Sequence, residues 1–406
     1  MGTILRAVVA TLLVAGAGAL VTLAVVLTLS RNAMVVNGCA IQSAFAESWL
    51  REPTLCPGVD LRGADLAGVH LQKADLAGAN LSGADLRGAN LRLAILVDAD
   101  LSEARLDGAD LTGIAAHRSR FVGASLAGAQ MVWAELRDAT LTDVHMAGVE
   151  ARSIQLQGVT AARAVVTDAN LTRASFTNAK LPGADFTGSV LANARLFGSD
   201  FRGATLTRAN LTQATIRDAA LSQVRLDGAR LYGAEITRTD LTGADLSEAN
   251  LRFVDFTESN LSGYATVGRS ADLRGSDLLA ATLDRADLSH ATLAGTYLYG
   301  AGLRGTNLRH ADFTGATLHF ADLPNADLSF AKLSRADLGR ALLAGASLRG
   351  AILTNADLRA ANLSGADLTD ASLAGVDLAG ANLDRAILPK GFVLPDAAAT
   401  PGTAAR

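Results

Sequence analysis

The 406-residue sequence predicts an all-β solenoid carried behind one N-terminal transmembrane helix. Three observations predict this. A five-residue repeat runs from residue 59 to residue 388 with one phase break, two positions of the repeat are mostly apolar and never charged, and residues 7–29 are 23 consecutive positions without a charge. The composition agrees. Half of the residues are hydrophobic, enough for a core, but only 4% are aromatic, so that core is built from Leu and Ala. A net charge of −4 and a pI near 5.9 argue against bulk electrostatic binding to nucleic acid. Two cysteines and six scattered histidines leave no Cys/His metal cluster in the sequence.

After a short flank (residues 1–6), the apolar run of residues 7–29 is long enough to cross a hydrocarbon core about 30 Å thick. A cleaved signal peptide has an apolar region of roughly 7–15 residues with a small-x-small site close behind it. Here the run is longer and the best cleavage match, Ala44-Phe45-Ala46, lies far downstream, which favours an uncleaved anchor. Arg6 before the span and Arg31 and Arg51 after it leave the positive-inside count nearly tied. Cys39 and Cys56 are the only cysteines and are either two free thiols or one disulfide; a disulfide requires an oxidising compartment. On that basis the body is expected outside the cytoplasm. Within the linker of residues 30–57, residues 40–52 place Ile41, Phe45 and Trp49 on one stripe, and Pro53 follows. That pattern predicts a short capping helix over the first coil.

The repeat itself fixes the backbone. Let i be the central position, which falls on Leu61, Leu66 and so on to Leu261, then shifts by two residues and runs from Leu273 to Leu388. Over these 65 units, i is Leu, Phe, Met, Ile or Val in 62, and i−2 is Ala in 47 and otherwise Val, Ile, Ser or Thr. Every charge falls at i−1, i+1 or i+2, the sorting produced when i and i−2 point inward. A helix is excluded, because five residues turn it by about 500° and successive leucines would spiral around it. A strand puts i−2 and i on one face, but an odd period sends the next leucine to the other face unless the chain turns a corner in every unit. Glycine supplies that corner: 29 of the 39 glycines stand at i+2. The exceptions at i, namely Ala116, Ala151 and Ala161, follow Ile114, Val149 and Val159 at i−2, which predicts conserved core volume.

This A-(D/N)-L-x-x pattern, as in Ala84-Asp85-Leu86-Arg87-Gly88, resembles the pentapeptide-repeat family over residues 59–388. The resemblance implies a right-handed quadrilateral β-helix with twenty residues per coil. It implies about 16 coils and a rod on the order of 80 Å long at ~4.8 Å between paired strands. The repeat domain is bounded at residues 58–390, with a phase break near residues 262–272 that should loop outward, and residues 391–406 form a tail expected to be disordered beyond a fold-back of Phe392 and Leu394.

No nucleophile elbow, phosphate loop, HExxH or Cys-x-x-Cys is present, and the abundant acids at i−1 are generated by the repeat, so neither an enzyme nor a small-molecule substrate, cofactor or metal is expected. A twenty-residue ruler stacks His290, His310 and Phe330 in one column and Tyr299 and His319 in another. Together with Tyr264 and Arg269 in the phase break, these are the candidate interaction surface. No Lys or Arg of the repeat has another twenty residues away, so no basic stripe exists to follow a phosphate backbone. The reading that results is a non-enzymatic, membrane-anchored scaffold with a protein partner. The alternative comes from the resemblance: some family members mimic duplex DNA and bind gyrase, protecting it from quinolones. Residues 59–388 carry 37 acids and 31 bases, a mild charge for that role.

Overall fold

The computed structural model describes residues 33–36, 39–42, 55–263 and 265–393. The span expected over residues 7–29 lies outside them, as do residues 43–54 and 394–406; among the described residues no helix is long and apolar enough to cross a membrane.

Each five-residue unit makes one side of a coil. Residues i−2 and i alternate inward around an outward i−1, and i+1 and i+2 make the turn. At i+2 the backbone is left-handed, at φ 62° in Gly88 and φ 60° in Lys73. The turn closes when the N–H of the next i−2 donates to the carbonyl of i, as Ala89 does to Leu86 at 3.0 Å. Successive coils then pair in parallel. Leu86 N–H donates to the Arg105 carbonyl at 2.7 Å, and Arg105 N–H donates to the Ala84 carbonyl at 2.9 Å. Asp85 thus faces Arg105, and the same twenty-residue step repeats from Leu55–Asp75 to Asp367–Ile387 except in one coil, where the step is 22. Four units therefore complete a coil with four sides, numbered here by the leucines that open them: Leu61, Leu66, Leu71 and Leu76.

The short strands expected from the sequence shrink to single bridged residues nearly everywhere, because a turn follows each bridge at once. The N-terminal cap also differs from expectation. Residues 40–42 belong to a strand and not to the start of a helix: β1 (Ala33–Val36) and β2 (Cys39–Gln42) form an antiparallel hairpin in which Val36 faces Cys39. The backbone there pairs between strands, so no helical hydrogen bond is available to those residues. Cys39 is joined to Cys56 by a disulfide across a Cα–Cα distance of 5.5 Å. Cys56 stands five residues before Leu61, at position i, and its N–H donates to the Asp75 carbonyl at 2.8 Å. The solenoid therefore begins before residue 58, and a disulfide fills the core position of its first unit. Further along the rod, longer pairing occurs where β3 (Thr215–Arg217) runs parallel to β4 (Glu235–Thr237).

Leucines at i and alanines at i−2 form one continuous interior, with Leu61 through Leu111 fully buried and Phe121, Phe176, Phe186, Phe201, Phe256 and Phe313 inside it. Outside the phase break, where Ser or Thr replaces Ala at i−2, its hydroxyl donates to a carbonyl of position i. Examples are Ser199 to Leu196 at 2.8 Å and Ser276 to Leu273 at 2.6 Å. The buried polar group is thereby satisfied. Volume conservation is incomplete near Ala161, where an apolar cavity of about 20 Å³ is lined by Met146, Val159, Ala161, Val166 and Phe176. Val159 adds two methyl groups where a central Leu would add a longer branch, and the shortfall remains as a void.

The phase break is narrower than residues 262–272. Asp240 pairs twenty residues on, with Asn260, but Asp245 pairs with Val267 and Asn250 with Asp272, each 22 residues on; Val267 then pairs with Asp287, again twenty on. The two extra residues are confined between Leu261 and Thr266. Thr266 and Gly268 are already buried as i−2 and i of a restored unit. At the far end Phe392 packs against the core and its N–H donates to the Pro389 carbonyl at 3.1 Å.

Candidate interaction surface

The repeat decides which side chains can cluster outside. An outward residue recurs at the same place one coil later, at about the 4.8 Å spacing of paired strands, so aromatic rings twenty residues apart are set face to face. His290, His310 and Phe330 all stand at i+2, on the corner between the second and third sides, with φ 61°, 59° and 61°. The His290 and His310 rings stack at 4.8 Å and 16°, and those of His310 and Phe330 at 5.2 Å and 10°. Phe330 lies flat against Gly350, where a Cβ would stand 2.7 Å from its ring. Arg309 covers Phe330 at 5.6 Å and reaches Asp327 at 3.3 Å.

The second cluster occupies the fourth side. Tyr299 and His319 lie nearly parallel at 6.1 Å, and Phe320 meets both edge-on, at 5.4 Å from Tyr299 and 4.6 Å from His319. Tyr297 adds a ring 6.2 Å from Tyr299, and the Arg340 guanidinium stands 5.5 Å over Phe320. His319 Nδ1 is 3.2 Å from Asp337 Oδ1, which also accepts the Gly339 N–H at 2.9 Å. The imidazole covers Gly339 so closely that a Cβ there would meet it at 2.6 Å.

Sequence reasoning found the two columns but missed Tyr297, Phe320, Arg309 and Arg340, along with a third pair, Tyr232 and Phe253, whose rings are 5.5 Å apart. The signal was present: i−1 and i+1 of one unit share an outward face, and i+2 adjoins i+1, so the ruler needed those offsets as well as twenty. Tyr264 lies outside the described residues. Arg269 pairs with Asp287, Nε to Oδ2 at 2.6 Å. Burial raises the Asp287 carboxyl, but hydrogen bonds from Arg269 and Ser289 outweigh it and hold the group below its ordinary value.

The acids at i−1 are occupied structurally. In most of them Oδ1 accepts the N–H of i+1, as in Asp75 from Ala77 at 3.1 Å and Asp312 from Thr314 at 3.0 Å; Asp322 is an exception, because Pro324 at i+1 has no N–H to donate. Several also pair with Arg at i+1, as Asp85 does with Arg87, while acids at the corner position i+2 pair between coils in Asp98–Arg118, Asp143–Arg163 and Asp218–Arg238. Among the described residues no three His, Cys, Asp or Glu side chains converge as metal ligands.

No curated protein matches the chain. Among solved structures, it is similar to HetL, a pentapeptide repeat protein involved in heterocyst differentiation regulation from the cyanobacterium Nostoc sp. strain PCC 7120. Identity is 33% over 57% of this chain and 92% of that one, with a TM-score of 0.24. It is similar to QnrB1, a plasmid-mediated fluoroquinolone resistance protein, at 24% identity over 43% and 91%, with a TM-score of 0.23. A pentapeptide repeat protein of the Arabidopsis thaliana thylakoid lumen matches at 33% identity over 29% and 70%, with a TM-score of 0.12. The family model for pentapeptide repeats matches residues 56–113, 154–263 and 269–388, well over half of the sequence. With that match lying on coils of four five-residue sides, the chain belongs to the pentapeptide-repeat family.

Proposed function

We propose that this protein is a non-enzymatic rod that presents its C-terminal coils to a protein partner and is tethered to a membrane through residues 7–29, with the rod outside the cytoplasm. The observation that carries the reading is the pair of exposed aromatic–imidazole stacks, on the corner of His290, His310 and Phe330 and on the fourth side at Tyr299 and His319. Rings held on a hydrogen-bonded coil lose little freedom on docking, and Tyr, Phe and Arg are the side chains that anchor protein interfaces. The Cys39–Cys56 disulfide supports an oxidising compartment. The surface acids are largely tied to neighbouring arginines and backbone N–H groups, so no feature of the charge pattern favours the DNA-mimic alternative.

The test is photocrosslinking in the native membrane, with a benzophenone amino acid placed at Phe330 or Phe320 of the full chain. Capture of a discrete protein from these positions, and not from Arg202 on the N-terminal half, is the expected result. Equal capture from all positions overturns the surface assignment, and release of the chain by alkaline carbonate overturns the tether.

A further inference from the structure

We infer that the fourth side of the rod is a self-recognition surface on which a second copy of this chain docks in parallel, the two N-termini at the same end. The inference rests on the scaffold reading above and names a partner for it.

The outward residues of that side fall in two columns. From the coil of Tyr297 onward, those before the core leucine are Tyr297, Thr317, Asp337, Asp357 and Asp377; the large side chains after it are Tyr299, His319, Phe320, Arg340 and Arg359. One edge of the strip is therefore acidic and the other cationic, with exposed rings at one end of both: Tyr297 is 41% exposed, Tyr299 38% and Phe320 41%. A two-fold axis along the rod turns one edge onto the other. Asp357 of one copy then meets Arg359 of the second, Asp337 meets Arg340, and Tyr297 meets Tyr299, each twice. An antiparallel pairing centred on the rings instead sets each column against itself and brings Asp277 onto Asp337, like charge against like.

Arg340 supplies unspent charge for this contact. Among the described residues it contacts the Phe320 ring but has no carboxylate partner, whereas Arg359 already holds Asp357 at 2.6 Å and Asp377 at 3.7 Å and can share them across the interface. The strip is about five coils long, on the order of 25 Å at the strand spacing. A contact that short is smaller than the roughly 800 Å² per partner of stable complexes, so the dimer is weak. Chains confined side by side in one membrane reach the needed local concentration.

The full chain in nonionic detergent, carrying one new cysteine, tests this with a short bismaleimide; Cys39 and Cys56 are consumed by their own disulfide. Ala379→Cys, in the last coil of the strip, and Thr257→Cys, on the same side two coils before its first, should each crosslink to themselves. Thr369→Cys on the second side should not. Tyr299→Ala or Arg340→Asp should cut the crosslinked fraction at a given concentration about tenfold. Mixing Arg340→Asp with Asp337→Arg should restore it, because each chain then carries one sign and the pair is complementary. Circular dichroism matching wild type shows that each variant is folded. Monomers at about 100 µM, equal crosslinking at Thr369, or self-crosslinking at neither Ala379 nor Thr257 overturns the inference. If photocrosslinks from Phe320 then reach only another protein, the scaffold reading stands and self-recognition falls.

Discussion

Leu288 occupies the space that the missing side chain of Gly268 leaves in the core: a Cβ on Gly268 would stand 2.6 Å from Leu288 Cδ2. Gly268 is at position i, where a Leu is the rule, and it is the residue at which the register resumes after the two-residue insertion. A core gap one coil wide is thus closed by its successor. Gly268→Ala should destabilise the coil by about 1–3 kcal/mol through overpacking, and Leu288→Ala by about 2–5 kcal/mol through a cavity. The double variant should cost clearly less than the sum. Amide exchange around Asp245–Asn307 is the appropriate readout, because a solenoid need not melt as one unit.

Asp85 illustrates the electrostatics of the i−1/i+1 pair. Arg87 donates Nε to Oδ1 at 2.8 Å and Nη2 to Oδ2 at 2.5 Å, and this hydrogen bonding pulls the Asp85 pKa from 3.8 down to about 2. A carboxyl depressed on folding contributes stability that is fully present above its unfolded value and is lost as pH falls through the folded one. For Asp85 that loss spans pH 3.8 to about 2. Arg87→Ala should move the Asp85 carboxyl carbon titration toward 3.8 and reduce this acid dependence, as followed by NMR, with the residue 87 N–H and Arg105 still holding part of the depression. The neutral-pH melting temperature should change little, since the pair is solvated.

The corner position separates backbone strain from packing. Gly88 has φ 62° and open space within 4 Å of where a Cβ would stand, and Ala360 holds φ 56°. An L side chain in the left-handed region costs about 1–2 kcal/mol, partly offset by the stiffer unfolded chain that Ala gives, at about 0.4–1 kcal/mol. Gly88→Ala should therefore destabilise by about 0.5–1 kcal/mol and Ala360→Gly stabilise by a similar amount, measured by urea unfolding. Equal and negligible effects would show that the corners carry no strain.

Reduction of the Cys39–Cys56 bond should loosen the N-terminal cap. A disulfide closing a loop of separation 17 is worth about 3 kcal/mol by the chain-entropy estimate. Cys39→Ser should abolish the response to reductant and accelerate amide exchange in the first coil, around Leu61 and Leu66. Exchange beyond Leu101 should be unchanged, because each coil contacts only its neighbours. Uniform acceleration along the rod would contradict that decoupling.

The solenoid was legible because its rule is written 65 times. Leu86 and Ala84 announce an inward pair, Gly88 announces a corner, and an odd period demands both. The cap was not legible: residues 40–52 carry a helical stripe, yet residues 40–42 pair in a hairpin with residues 33–36. A stripe records side-chain spacing, whereas pairing depends on which backbone lies alongside. The candidate surface was half legible. His290, His310 and Phe330 sit at equal phase twenty residues apart, but Phe320 and Tyr297 join Tyr299 at offsets of 21 and two, which a twenty-residue ruler passes over.

By itself the sequence determined which residues face inward and that the chain must turn once in every five, because burial of Leu and Ala and exclusion of charge from the core are local constraints imposed at every repeat. The tertiary structure decided what depends on distance between coils. It placed the disulfide in the first core position, confined the insertion between Leu261 and Thr266, let Leu288 fill the gap at Gly268, and gathered the rings of the fourth side. Those outcomes follow from contacts between residues about twenty apart, and no five-residue rule contains them.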